Sequence, residues 1–500
     1  MSAAYQKLEE RFRRLMSLGE AEAILHWDMA TMMPAGGAEG RGEQLATLKV
    51  VRHGMLTDSE TADLLDAVET EAGLDDWHGA NVREMRRMWV HGAAVDEDLV
   101  QALSRASTRC ETAWRTARED SDFAAVLPRL EVLLDLVRQV ARAKAERLGV
   151  ALYDALLDEY EPDARAADID PVFADLTAFL PGFLGEVLER QAATAPPLIP
   201  DGPFPIERQR ALGMKLMESL GFDFNHGRLD VSLHPFCGGT PDDVRITTRY
   251  DEDDFASALM GVLHETGHAL YDRGLPREWR GQPVGEARGM AMHESQSLLI
   301  EMQVCRSPGF LEYAAPVMAA AFGGIGSAWS PGNLARLHTR VAPGPIRVDA
   351  DEVTYPAHVI LRYNLEKAMI EGDMEAGDLP GAWNEAMRAA LGLTPADDRE
   401  GCLQDIHWFD GAWGYFPTYT IGALMAAQLF AAAKEADGDI EPGIRRGDFR
   451  PLFRWLGDTV HGRASSVSAQ AIIADATGRP LDAAVFKAHL AARYLDGGGA

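Results

Sequence analysis

Cysteine is scarce in this sequence: four in 500 residues, Cys110, Cys237, Cys305 and Cys402, far apart and with no CxxC pair. That excludes a disulfide framework and a thiolate zinc site, and it suits a reducing, cytoplasmic compartment. Positive charge is also short, 48 Lys plus Arg against 77 Asp plus Glu, for a formal net charge of -29. A field of that sign repels phosphate backbones and anionic membrane faces, so nucleic acid is not an expected partner. Long apolar runs are missing. The longest, Ile421 to Ala433, contains Gln428 and stops well short of the roughly 20 residues needed to span a bilayer. The stretch from Met1 to Trp27 mixes Glu9, Glu10, Arg11, Arg13 and Arg14 into a helical pattern, unlike the unbroken apolar segment of a signal peptide. No membrane partner is expected either.

What is present is the composition of an ordinary globular protein, 47% hydrophobic and 25% charged. In Met1 to Leu18 the residues Tyr5, Leu8, Phe12, Leu15 and Met16 recur at threes and fours, the period of an amphipathic helix. Leu130 to Leu148 and Val172 to Gln191 repeat it. Ala193 to Pro205 carries five prolines and cannot continue a helix, since proline lacks the donor N–H; Gly323 to Gly332 and Pro343 to Pro345 read as further loops. One segment departs from the helical period: Val244 to Tyr250, VRITTRY, reads as a strand, between a turn at Cys237 to Asp243 and the acidic run Asp251 to Asp254. The predicted class is mainly α with a small β element. It forms a single domain over 1–500, with sub-lobes at about 1–195 and 206–500.

Between Asp251 and Gly274 the apolar positions Phe255, Leu259, Val262, Leu263 and Leu270 mark one face of a helix that ends near Gly274-Leu275-Pro276. This helix carries His264-Glu265-Thr266-Gly267-His268. Imidazoles four residues apart project from one face, the spacing that grips a single zinc ion. Glu265, beside the first of them, is placed to act as general base on the attacking water. A catalytic site needs a third ligand. Glu286, His293, Glu294 and Glu301 lie on a second predicted helix, Gly285 to Val304, and periodicity does not choose among them.

The motifs beyond HETGH carry a resemblance. His293-Glu294-Ser295-Gln296, His234-Pro235-Phe236, Asp243-Val244-Arg245-Ile246-Thr247 (DxRxT), Ile346-Arg347-Val348-Asp349-Ala350-Asp351 (IRxxAD) and Gly401-Cys402-Leu403-Gln404-Asp405-Ile406-His407-Trp408 (GxxQDxHW) stand in one order. Together with Trp27 to Pro34 they resemble the carboxypeptidase Taq family of zinc metallocarboxypeptidases over nearly the whole chain. The resemblance implies a large helical zinc-peptidase fold with a deep substrate groove. It implies His264, His268 and Glu294 as metal ligands, Glu265 as base, and His293 and Gln296 as residues supporting the ligand helix. It also implies zinc replaceable by cobalt, a homodimer, and poor cleavage at proline. The family is similar to a wider group of helical zinc peptidases in which a histidine and a tyrosine from one segment stabilise the oxyanion; His407 and Tyr419 match that spacing, with Tyr415 as second choice. Arg245 and Arg347 lie in motifs that the family uses for the substrate's terminal carboxylate, which a chain at -29 must bind with fixed cations. The strand at Val244 to Tyr250 is a candidate to pair with an extended substrate.

Two segments depart from the family pattern. HESQS usually continues RLWEN, whereas here Leu298-Leu299-Ile300-Glu301-Met302 follows; and Tyr355 runs into Pro356-Ala357-His358 where Asn-Leu-His is usual. The expected activity is a carboxypeptidase that removes single residues from peptide C-termini with broad tolerance. The alternatives are a related zinc oligopeptidase or dipeptidase, and a non-catalytic peptide-binding protein.

Overall fold

The computed structural model describes residues 2–71 and 73–496 and is built almost wholly of helices. The first runs Ala3–Thr31; Ser2 caps it by accepting from the Tyr5 N–H, and Tyr5, Leu8, Phe12 and Leu15 turn inward at 0–2% exposure. The predicted helices at 130–148 and 172–191 lie within Phe123–Leu148 and Ala166–Ala192, and the proline-rich connector between 193 and 205 is irregular. Ala166–Ala192 meets the length and hydropathy of a membrane-crossing helix, which no apolar run in the sequence suggested. Ile169, Phe173, Leu176, Leu180 and Val187 on it pack into the main core.

That core runs from Cys110 to Leu490 and so spans both proposed sub-lobes. A smaller cluster gathers Tyr5, Leu8, Phe12, Leu65 and Met85, and a third joins Leu229, Val244 and Ile246 to Val262 and Ala269.

The β element is larger than the single strand expected. Three strands, β1 (Gly227–Val231), β2 (Phe236–Thr240) and β3 (Asp243–Thr248), order as β1-β3-β2, β1 parallel and β2 antiparallel to β3. Cys237 to Asp243, read as a turn, is therefore most of β2 plus a tight connection; its two glycines hid the strand. β3 is central, with both edges hydrogen-bonded, which corrects its expected role as a template for substrate. Only β1 or β2 has an edge to offer. The sheet's buried face lies against the helix Phe255–Gly274.

Candidate metal and active site

The histidine helix, Phe255–Gly274, starts directly after the acidic run: Asp254 accepts from the Ala256 and Ser257 N–H groups and caps it. The second helix is shorter than expected, Gly289–Leu298, because Pro283–Gly285 forms a separate turn and Leu299–Cys305 continues in π geometry. The departure from the family pattern thus falls on the last residue of this helix and on the π segment, with Leu298 and Ile300 buried at 5% and 1%. Glycine lets the two helices meet. A Cβ on Gly267 would lie 2.5 Å from the Gln296 carbonyl oxygen and 2.6 Å from Ser297 Cα. The helix Pro417–Ala436 closes on the other side, where a Cβ on Gly422 would lie 2.9 Å from the Glu294 Cβ.

These approaches bring His264, His268 and Glu294 together, one donor atom from each lying within 4.8 Å of the others. Glu294 Oε2 is 3.9 Å from His264 Nε2 and 3.5 Å from His268 Nε2. Of the four candidates for the third ligand, Glu294 is the one in this set, and Glu286 lies exposed outside the helix. Glu301 takes a supporting place: its Oε2 is 3.0 Å from His264 Nδ1, and its Oε1 accepts from Arg306 at 2.6 Å. With Nδ1 engaged by Glu301, Nε2 of His264 faces Glu294 and is the ring nitrogen left for a metal once its proton is gone. The His268 ring stacks on His293 at 4.3 Å and 20°, and His293 Nε2 is 3.1 Å from Asp272 Oδ1. Gln296 meets no ligand; its Oε1 accepts from His461 Nε2 at 3.1 Å and so ties the helix to a distant segment.

Two imidazole nitrogens and one carboxylate form the donor set of a catalytic zinc site with an open position, so the residues fit a divalent metal. The electrostatics agree. Burial depresses His264, but Glu294 and Glu301 override it and raise the group to about 10, the response of a pocket seeking a cation. Burial and the neighbouring His293 lower His268 to about 4, which keeps it neutral. Glu265 is 8% exposed, and burial pushes its carboxyl up to about 7, suited to taking and returning a proton.

A second group of candidate residues gathers around Arg347, Tyr355 and the segment His407 to Tyr419, whose three tyrosines Tyr355, Tyr415 and Tyr419 feel the Glu294 carboxylate. His407 Nε2 is 3.4 Å from the Tyr419 hydroxyl, and Tyr415 packs edge-on to Tyr419 with ring centroids 5.2 Å apart. Burial lowers His407 to about 4 and raises both tyrosines, so all three are neutral. The Arg347 guanidinium lies 5.0 Å from the Tyr419 ring and donates to the Tyr355 hydroxyl at 3.0 Å and to Asp405 at 2.7 Å. Gln404 of the same motif accepts from the Arg347 N–H and donates to the Pro345 carbonyl, joining IRxxAD to GxxQDxHW. Glu366 anchors the segment from behind by accepting from Trp408 Nε1, Tyr153 and the Gly414 N–H.

Arg245 stands apart from this group. Its side-chain hydrogen bonds go to Asp243, and its guanidinium lies 4.3 Å from the Trp27 ring, which also meets Arg228. A cavity of about 930 Å³ lies elsewhere, lined by Gln191, Pro197, Asn333 and Arg340, and shares no residue with the site. Residue types and spacing gave no role to Asp272, Glu366 or Arg362. Asp272 alone had a local signal, four residues after His268 on one helix face.

A mainly helical chain with an HExxH helix, a carboxylate from a neighbouring helix and a buried arginine–tyrosine cluster defines a metallopeptidase. Residues 7–494 match the carboxypeptidase Taq (M32) metallopeptidase family, and the chain belongs to it, as a metallocarboxypeptidase. It is 38% identical over 506 residues to thermostable carboxypeptidase 1 of Thermus thermophilus, covering 98% of each chain. It is 34% identical to carboxypeptidase 1 of Bacillus subtilis, covering 96% of each. The structure is similar to that of Trypanosoma cruzi metallocarboxypeptidase 1, with a TM-score of 0.96, 40% identity and 99% of each chain covered.

Proposed function

We propose that the protein is a zinc carboxypeptidase that releases single residues from peptide C-termini with broad side-chain tolerance. The observation that carries this reading is the convergence of His264, His268 and Glu294 within 4.8 Å of one another, with Glu265 next to His264 in the chain and its carboxyl under the influence of His264 and Glu294. When bound, the metal polarises the scissile carbonyl and makes water a nucleophile near neutral pH. Glu265 accepts the proton of the attacking water and returns it to the leaving amine. Neutral His407 and Tyr419 donate to the oxygen that gains charge, with Tyr415 in reserve. Arg347 holds the terminal carboxylate, and that fixes the cut one residue from the end. Arg245, on β3, is a second carboxylate contact to be tested by Arg245→Ala. Four unpaired cysteines support a cytoplasmic setting, and a homodimer is the proposed assembly, to be measured by light scattering.

The experiment is mass spectrometry of a mixed peptide pool, with and without chelator and zinc add-back. A chelator-sensitive ladder of single C-terminal losses is expected, absent in Glu265→Gln with metal still bound. Internal cuts or dipeptide losses would mean an oligopeptidase. No cleavage by the metal-loaded protein would leave a peptide-binding module.

A further inference from the structure

Behind Arg347 lies a second arginine that belongs to none of the motifs. Arg362, on the helix Tyr355–Glu371, is fully buried at 0% exposure. Its Nε donates to Asp405 Oδ2 at 2.6 Å and its Nη1 to the His358 carbonyl at 2.7 Å. The guanidinium is closed in by Trp383 at 4.5 Å and Phe416 at 5.7 Å, so it has no route to substrate. The other oxygen of Asp405, Oδ1, accepts from Arg347 Nε at 3.1 Å and Nη2 at 2.7 Å. One carboxylate therefore stands between two guanidiniums, and the buried cluster carries a formal charge of +1.

The side chains packed around the two guanidiniums, His358, His407, Tyr355 and Tyr419, do not cancel that charge. Burial lowers His358 to about 3 and His407 to about 4, so both are neutral, and burial likewise keeps Tyr355 and Tyr419 protonated. Without Arg362, the pair Arg347–Asp405 would be neutral and a weak anchor for an anion. A surplus buried cation is costly unless an anion joins it, and the terminal carboxylate of a peptide is such an anion.

We propose that Arg362 is a positioning residue for exopeptidase selectivity: it neutralises Asp405 from behind, so that Arg347 meets the terminal carboxylate of the substrate as a net cation. The inference rests on Arg347 as the carboxylate anchor.

The test compares kcat/KM on two peptides that differ only in a free or amidated C-terminus. The variants are Arg347→Gln, Arg362→Met and the double variant Arg362→Met/Asp405→Asn, each checked for its fold by circular dichroism. Arg362→Met should lower the free-acid to amide ratio by at least about tenfold, through KM for the free acid, as expected for one elementary charge at short range in a low-dielectric site. The double variant restores the net charge of +1 and should return the ratio to within about threefold of wild type, which a purely structural role for Arg362 does not predict. If Arg362→Met fails to fold, the double variant alone decides: a wild-type ratio supports the inference and a lost ratio overturns it. An unchanged ratio in Arg362→Met overturns the inference while leaving the anchor intact, provided that Arg347→Gln abolishes the preference. An unchanged ratio in Arg347→Gln removes the anchor itself, and the inference with it.

Discussion

Gly267 is the position where one methyl group tests the whole construction of the metal site. A Cβ there would sit 2.5 Å from the Gln296 carbonyl oxygen, about 0.9 Å inside the 3.4 Å edge of ordinary contact, and would press on Ser297 Cα as well. Both obstacles are backbone of the Glu294 helix, so no side chain can swing away. In Gly267→Ala the two ligand helices must separate by most of an ångström, beyond the roughly 0.5 Å that a functional site tolerates. Overpacking of this kind costs about 1–3 kcal/mol, while alanine in a helix regains up to about 1 kcal/mol over glycine. The net is a loss of about 0–2 kcal/mol, which the core survives. Metal affinity should fall by about 10–100-fold, the scale on which misplaced ligands act, and kcat/KM should fall with it. Gly261→Ala is the internal control: it lies on the same helix with nothing within 4 Å of its Cβ, so it should raise the melting temperature slightly and leave metal binding alone. The assays are a thermal melt and a competitive metal titration on both variants. Wild-type metal affinity in Gly267→Ala would refute the claim that close helix approach sets the ligand geometry.

Asp254→Ala should lower stability by about 1 kcal/mol in denaturant titration, because two N–H groups at the start of the histidine helix lose their acceptor. Metal binding at pH 7 should release about one proton, since Glu294 and Glu301 hold His264 up to about 10 without a cation whereas His268 is already neutral; calorimetry in buffers of different ionisation heat counts it. His358, fully buried and lowered to about 3, should show no imidazole titration in NMR spectra between pH 8 and 5. Its folded value lies below the unfolded one, so its contribution to stability is full above pH 6.5 and is lost as pH falls toward 3. An imidazole at position 358 that titrates near 6.5 would sink this account.

Much of the fold was legible because helices with one apolar face announce themselves locally. The periods at Tyr5 to Leu15 and Phe255 to Leu263 and the proline-rich break before Pro205 all came through unchanged. The strands were harder. β2, with Gly238 and Gly239, has almost no pattern of its own and exists because β3 pairs with it. Likewise the π geometry of Leu299–Cys305 leaves no mark in spacing, although it carries Glu301 to His264.

The sequence by itself determined the two histidines, the adjacent glutamate and the family motifs, because each is a local spacing on one element. It left the third ligand open among Glu286, His293, Glu294 and Glu301 until resemblance pointed to Glu294, since which face of one helix meets another depends on packing. Tertiary structure groups Glu294, and not the other three, with the two histidines through Gly267 and Gly422, the points where backbones approach closely enough for the three donors to converge. It also decided the charge around Arg347. Asp405 lies 58 residues from Arg347 and 43 from Arg362, and no local pattern tells a buried carboxylate which cations it will stand between.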